Sequence, residues 1–282
     1  MKNKIYPCWW FDNNGAEAVD FYMNIFPQSR ITADTGMVIS FELWDNKFMA
    51  LNAGPHFTKN PSISFFVSCD TAEAVEQLWE KLSGGGQVLM PLDTYPWSAK
   101  YGWVTDRYGV SWQVYQGQPE NIRQRISPSL MFTGSQAGNA RKAIGLYTSI
   151  FDNSKTGGIR NYEKDEGDRE GYVKHAEFLL QDQLFMAMDS SQAHAFSFNE
   201  GISLVVDCET QEEIDHLWDN LTANGGEESK CGWLKDPFGV SWQIVPAGLG
   251  KWMTDPEKAK KVMDVVLRSK KLIIAELEQA AS

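Results

Sequence analysis

The stretch DRYGVSWQVY at Asp106–Tyr115 recurs as DPFGVSWQIV at Asp236–Val245, 130 residues further on. It is the clearest part of a repeat that runs through the chain. Phe21-Tyr22-Met-Asn-Ile-Phe26 matches Leu146-Tyr147-Thr-Ser-Ile-Phe151, FMAL at 48–51 matches FMAM at 185–188, and the segment around Cys69 and Trp79 matches that around Cys208 and Trp218. Order is kept while loop lengths drift, so the chain folds as two copies of one architecture. The copies are expected at 1–120 and 127–247, with Gln118-Pro119 through Pro128 as linker and 251–282 as a helical tail, a C-terminal helix from Pro256 to Ala280 whose Val262, Val265, Val266, Leu272, Ile273 and Leu277 make an apolar stripe.

Each copy carries one pattern twice. A strand is expected near 5–11 and 129–133, a helix near 15–26 and 137–150, and three strands near 30–34, 37–44 and 47–53 (156–162, 171–180 and 183–189 in the second copy). The pattern then restarts with SISFFVS and GISLVVD as strands and DTAEAVEQLWEKL and ETQEEIDHLWDNL as helices. Asp70 and Thr210 are the expected N-caps, with Glu73 and Glu213 three residues on in capping-box spacing. Glycines at 84–86 and 225–226 stop these helices. The fold class is therefore α+β, with four βαβββ units and helices on one face of each sheet; the other face is filled by a partner sheet or left as a cleft.

Together LNAGPHF (51–57), YGWVTDRYGVSWQVY (101–115), FSFNEGISLVVDCETQEEIDHLW (196–218) and CGWLKDPFGVSWQIVP (231–246) cover both copies. With paired βαβββ units, they make the chain resemble the PhnB-like, demethylubiquinone methyltransferase-like branch of the vicinal-oxygen-chelate superfamily, the glyoxalase and bleomycin-resistance group. The resemblance implies tandem glyoxalase-like domains, each with a curved mixed sheet. Methyl transfer is not expected. A Rossmann-type S-adenosylmethionine site needs a glycine-rich turn between strand and helix, whereas Gly84-Gly85-Gly86 follows a helix.

The resemblance also implies where a metal would sit. The metalloenzymes of the superfamily use His, Gln and Glu on the concave sheet, and their last-strand Glu falls on Gln113 and Gln243. An amide carbonyl is a much weaker ligand than a carboxylate. Near the other ligand positions stand Pro7 or Cys8, Ala50 or Asn52, and Ser62 or Ser64. Their counterparts are Ser129 or Met131, Ala187 or Asp189, and Gly201 or Ser203. No metal and no other cofactor is expected.

The remaining candidates are polar and aromatic. On the terminal strands Ser111, Gln113 and Tyr115 share one face, and Trp112 and Val114 the other. Gln113 and Gln243 are either two-way handles for a carbonyl or hydroxyl group in a cleft, or partners of buried backbone. Trp103 and Trp233 precede these strands, and Cys8 and Trp10 lie on the first strand. His56 and His194 match between copies and are either proton shuttles at a cleft mouth or turn caps. His216 reads as a solvated helix residue. His175 and Glu177, two apart on a strand, form either an acid–base pair or a surface pair; the first copy has Val38 and Ser40 there.

The copies differ between their glycine turns and the Gly-Trp pairs. The first has QVLMPLDTYPWSAKY (87–101), carrying Trp97, and the second only EESKC (227–231). The longer version suits an extra strand or flap. The second copy inserts NYEKDEGDREGY (161–172), read as a solvated hairpin tip.

Eleven Trp in 282 residues indicate a dense core or aromatic-lined clefts. A net charge of −11 argues against nucleic acid or anionic membrane as partner. No run of 18 apolar residues occurs. Four cysteines, none in CxxC spacing, suit a reduced, cytoplasmic setting. The readings left open are metal-independent binding of a small organic molecule, an isomerase or lyase acting on a small carbonyl or hydroxyl compound, and a structural role. The copies form an internal pseudo-dimer, and a homodimer is also open.

Overall fold

A computed structural model describes residues 4–118, 124–253 and 255–282. Residues 119–123 of the expected linker lie outside the described residues. The chain forms four βαβββ modules. The first is β1 (Ile5–Phe11), α1 (Gly15–Ile25), β2 (Arg30–Asp34), β3 (Val38–Leu43) and β4 (Asn46–Asn52). The second is β5 (Ile63–Cys69), α2 (Ala72–Ser83), β6 (Gln87–Tyr95), β7 (Ser98–Thr105) and β8 (Ser111–Gln116). The third is β9 (Ile126–Phe132), α3 (Ala140–Ile150), β10 (Lys155–Asn161), β11 (Val173–Leu180) and β12 (Gln183–Asp189). The fourth is β13 (Ile202–Cys208), α4 (Gln211–Thr222), β14 (Glu227–Glu228), β15 (Trp233–Lys235) and β16 (Ser241–Pro246). A tail follows with α5 (Leu249–Trp252), α6 (Pro256–Arg268) and α7 (Ile274–Ala280).

The compact units do not follow the repeat. The larger comprises residues 7–202 and the smaller residues 1–6 with 203–282. Within the larger unit the second and third modules, one from each copy, share an eight-stranded sheet in the order β10-β11-β12-β9-β5-β8-β7-β6. The join is antiparallel, with Ser64 opposite Ser129 and Phe66 opposite Ser127. Left alone, the first strand of a βαβββ module presents a bare edge; pairing β5 with β9 satisfies both edges at once. This pairing also puts residues 126–128, read as linker from the sequence, into strand. The first module contributes β1 from Pro7 onward, parallel to β4, with β3 and β2 continuing antiparallel.

The core of the larger unit is aromatic. Trp9, fully buried, has ring contacts at 5.1 Å to Tyr22, 4.9 Å to Phe48, 5.4 Å to Phe65 and 5.7 Å to Trp112. Such edge-on and tilted contacts add to the area that Trp buries. The repeated Asp anchors this core. Asp106 Oδ1 accepts from the amides of Tyr108 (2.8 Å) and Val110 (3.0 Å), closing the turn around Gly109, whose φ of +82° favours glycine. Its Oδ2 accepts from the Tyr22 hydroxyl (2.7 Å) and Trp112 Nε1 (2.8 Å). Burial pushes the Asp106 carboxyl above its usual range despite these four donors. Asp236 repeats the arrangement with the amides of Phe238 and Val240 and with Trp242 Nε1.

Two local expectations are corrected. The N-cap of α2 is Thr71, whose hydroxyl accepts from the Ala74 amide, and not Asp70, which pairs with Arg125 at 2.8 Å. Thr210 does cap α4. The tail is not one helix from Pro256 to Ala280. It breaks after Arg268, where Ser269 and Lys270 offer their carbonyls to the amides of Cys231 and Gly232, each at 2.8 Å. Leu272 is fully buried beside Gly232, and Gln211 of α4 accepts from the Ile274 amide at 2.8 Å. In the smaller unit the tail thus supplies a backbone partner where its own hairpin is two residues long; in the second module β6 does this for β7.

Candidate functional site

Strand alternation sorts the eight-stranded sheet into two faces. Register places Ser111, Gln113 and Tyr115 of β8 beside Ser64, Phe66 and Ser68 of β5. Ser127 and Ser129 of β9 share that face, then Met186 of β12 and Glu177 of β11. On the other flank Trp103 and Tyr101 of β7 stand opposite Gln113 and Tyr115. Trp112 points the other way, into the aromatic core. The face away from the helices therefore has a polar floor of serines and one Gln, with aromatic and methionine sides.

Gln113 is 1% exposed and both ends of its amide are engaged. The Tyr101 hydroxyl donates to Oε1 at 2.6 Å, and Nε2 donates to the Ser64 hydroxyl at 2.8 Å. Its partners are side chains, not backbone. Burial raises the Tyr101 hydroxyl well above its ordinary range, so it remains a donor across working pH. Trp103 Nε1 donates to Ser111 Oγ at 2.8 Å. Ser129, on the same face, is buried and its hydroxyl has no hydrogen-bond partner among the described residues. A buried polar group left unpaired is costly, and this one faces the sheet's floor.

His175 joins the same face. Its ring lies 6.1 Å from Phe66, and Nε2 is 3.7 Å from Glu177 Oε1. Phe66 also contacts Tyr101 (6.4 Å) and Tyr115 (6.0 Å), so it links the Gln113 group to the His175–Glu177 pair. Burial raises the Tyr115 hydroxyl, with Glu177 adding to the shift. The hairpin β6–β7 supplies the long segment of the first copy. Trp97, largely exposed, stacks on Tyr95 at 5.0 Å and stands 6.0 Å from Tyr101.

Other candidates stay apart. Trp10 Nε1 donates to the Gly54 carbonyl (2.7 Å), and its ring meets Phe57 (4.9 Å) and His56 (6.4 Å). Cys8 is buried on β1. Lys59 donates to the Trp10 carbonyl and sits 3.8 Å over the Phe11 ring; burial lowers its amine to about 8. His194 Nε2 lies 2.8 Å from Ser190 Oγ, a turn contact, and His216 is an exposed neighbour of Asn220. In the smaller unit Gln243 Nε2 donates to Ser203 Oγ at 2.9 Å, and Trp233 lies opposite Gln243. The counterpart of Tyr101 is Cys231, so only half of the Gln113 arrangement recurs. Tyr101 was missed from sequence; its position across the hairpin, next but one to Trp103, was the available signal.

The donor set does not fit a divalent ion at the position of the metalloenzymes. Both ends of the Gln113 amide are engaged by Tyr101 and Ser64. Among the described residues no three His, Cys, Asp or Glu side chains are grouped to hold a metal. A tight site needs such anionic or imidazole ligands.

A family model described as 3-demethylubiquinone-9 3-methyltransferase matches residues 3–115 and again 124–245. Among solved structures, the PhnB protein from Bacillus cereus is 34% identical over 39% of this chain and 96% of its own, with a TM-score of 0.37. The Pseudomonas aeruginosa protein PA1353 is 26% identical over 40% of this chain and 96% of its own, with a TM-score of 0.36. Glyoxalase I from Zea mays aligns over 86% of this chain and 91% of its own, at 10% identity and a TM-score of 0.59. No curated protein matches the chain.

Proposed function

Given that the chain belongs to the 3-demethylubiquinone-9 3-methyltransferase family, the PhnB-like branch of the glyoxalase superfamily, we propose that it binds a small organic molecule without a metal on the serine-floored face of its eight-stranded sheet. The observation that carries this reading is the buried Gln113 held between Tyr101 and Ser64, beside the unpartnered Ser129 hydroxyl. A pre-oriented amide network with one free hydroxyl, flanked by Phe66 and Tyr115, suits a ligand with an apolar ring and a carbonyl or hydroxyl group. The family name speaks of methyl transfer, but among the described residues the strand-to-helix turns carry no G-x-G-x-x-G run, the turn from β9 into α3 having only Gly134 and Gly138, so this reading includes no methyl donor.

A second reading is favoured by the His175–Glu177 pair. An imidazole beside a carboxylate, on the same face as the proposed ligand, is suited to moving a proton at a carbon next to a carbonyl. On that reading the protein is an isomerase or lyase. No helix among the described residues is long and apolar enough to cross a membrane, and the acidic charge disfavours nucleic acid.

The test is calorimetric titration of chelator-treated protein with aryl ketones and aryl alcohols. Saturable binding that Ser129→Ala weakens, with the melting temperature unchanged, supports the first reading. Binding that appears only on adding zinc or nickel sinks it. Turnover abolished by His175→Gln while binding persists selects the second.

A further inference from the structure

A cavity of about 500 Å³ opens on the helix side of the larger unit, between the C-terminal end of α1, the Trp44 turn and α2. None of its lining residues lies on the serine-floored face. Trp44, Phe26 and Leu78 form an apolar wall, and Arg125 and Lys81 bring positive charge. From this arrangement we infer a second binding site, one that takes a flat aromatic carboxylate.

Three observations carry the inference. First, Trp44 has φ of +47°, a conformation that bulky residues rarely adopt. The turn itself does not need tryptophan, because the matching turn of the second copy places Gln181 there, also at positive φ (53°). Trp44 places its ring 5.2 Å from Phe26 at the cavity wall, with the Arg125 guanidinium 5.4 Å over it.

Second, the cations are arranged to receive an anion. Asp70 holds one amino group of Arg125 at 2.8 Å, leaving other guanidinium N–H donors in a fixed plane. Lys81, in the last turn of α2, forms no ion pair among the described residues.

Third, the fold does not dictate this chemistry. At the matching positions the second copy has Glu209 for Asp70, Glu213 for Ala74, His216 for Gln77 and Asn220 for Lys81. There the added Glu213 is engaged by Lys4 at 3.4 Å and the lysine is replaced by the neutral Asn220, so the positive charge of the first copy is not repeated. Of the two copies, the first combines the aromatic wall with a net positive lining, Arg125 and Lys81 against the single carboxylate of Asp70. The volume falls in the range of small-molecule sites, and it admits a two-ring acid with its carboxylate toward Arg125 and Lys81.

The test is calorimetric titration of the full chain with naphthalene carboxylate and, in parallel, with the neutral carboxamide of the same shape. The carboxylate is expected to bind about tenfold more tightly, the value of one charge-assisted hydrogen bond. Arg125→Gln and Lys81→Gln, both at the surface, are each expected to weaken carboxylate binding about fivefold or more without lowering the melting temperature. Ser129→Ala, on the other face, is expected to leave it unchanged, which separates this site from the one proposed above. Equal affinity for acid and amide, absence of saturable heat, or a loss in Ser129→Ala but not in Arg125→Gln would each overturn the inference.

Discussion

Tyr101 and Gln113 meet across the β7–β8 ladder through a hydroxyl–amide hydrogen bond of 2.6 Å, and both side chains are buried. The contact fixes which end of the amide is oxygen, and so which end donates to Ser64. Removing the hydroxyl leaves a buried carbonyl oxygen unpaired. Tyr101→Phe is expected to lower unfolding free energy by about 1–3 kcal/mol in urea titrations, and to weaken ligand binding on the serine face. Unchanged stability would mean that water replaces the tyrosine.

Asp106 presents a sharper case. Its Oδ2 accepts from Trp112 Nε1, a group that can only donate. In Asp106→Asn, either the indole or the turn amides of Tyr108 and Val110 face an NH₂. A loss of about 1–3 kcal/mol is expected from the stranded donor alone. Because the Tyr108–Val110 turn leads into β8, near-ultraviolet circular dichroism of the tryptophans should change as well.

Lys59 makes stability depend on alkaline pH. Burial lowers its amine from 10.5 to about 8 in the folded chain. Below pH 8 the amine is charged in both states and the burial penalty is present in full. Between about 8 and 10.5 the unfolded chain holds a proton that the folded chain has released, so folding gains as pH rises. Relative to Lys59→Met, the wild-type chain should therefore become more stable across that window. A flat difference in unfolding free energy would show that the amine stays solvated.

Leu272 is expected to anchor the tail. Its side chain is fully buried beside Gly232. Leu272→Ala should cost about 2–5 kcal/mol, and amide exchange should quicken at Cys231 and Gly232, whose partners Ser269 and Lys270 flank the break between α6 and α7. Exchange rates that do not change would mean that the backbone pairing stands without the anchor.

Much of the fold was legible in the sequence because periodicity is local. The four βαβββ modules follow from alternating and helical patterns, and the split between Gln113 and Trp112 follows from a two-residue period. The cap was misread at Asp70 because adjacent Asp70 and Thr71 are both good caps. Only the distant Arg125, which engages Asp70, decides between them. The tail was read as one helix because its apolar stripe is nearly continuous, while its break depends on two amides some 38 residues earlier in the chain.

The sequence by itself determined the duplication, the module pattern and the turn that opens the last strand of each copy at Asp106 and Asp236; a Glu at the positions of Gln113 and Gln243 is implied only by the resemblance to metal-binding relatives. Tertiary structure decided which modules share a sheet, that Tyr101 and Ser64 engage Gln113, and that Trp44, Arg125 and Lys81 surround one cavity. The physical reason is range. Backbone conformation and strand alternation are written over a few residues, whereas edge pairing and side-chain hydrogen bonds join positions tens of residues apart, and residue identity alone does not specify which of many acceptable partners is met.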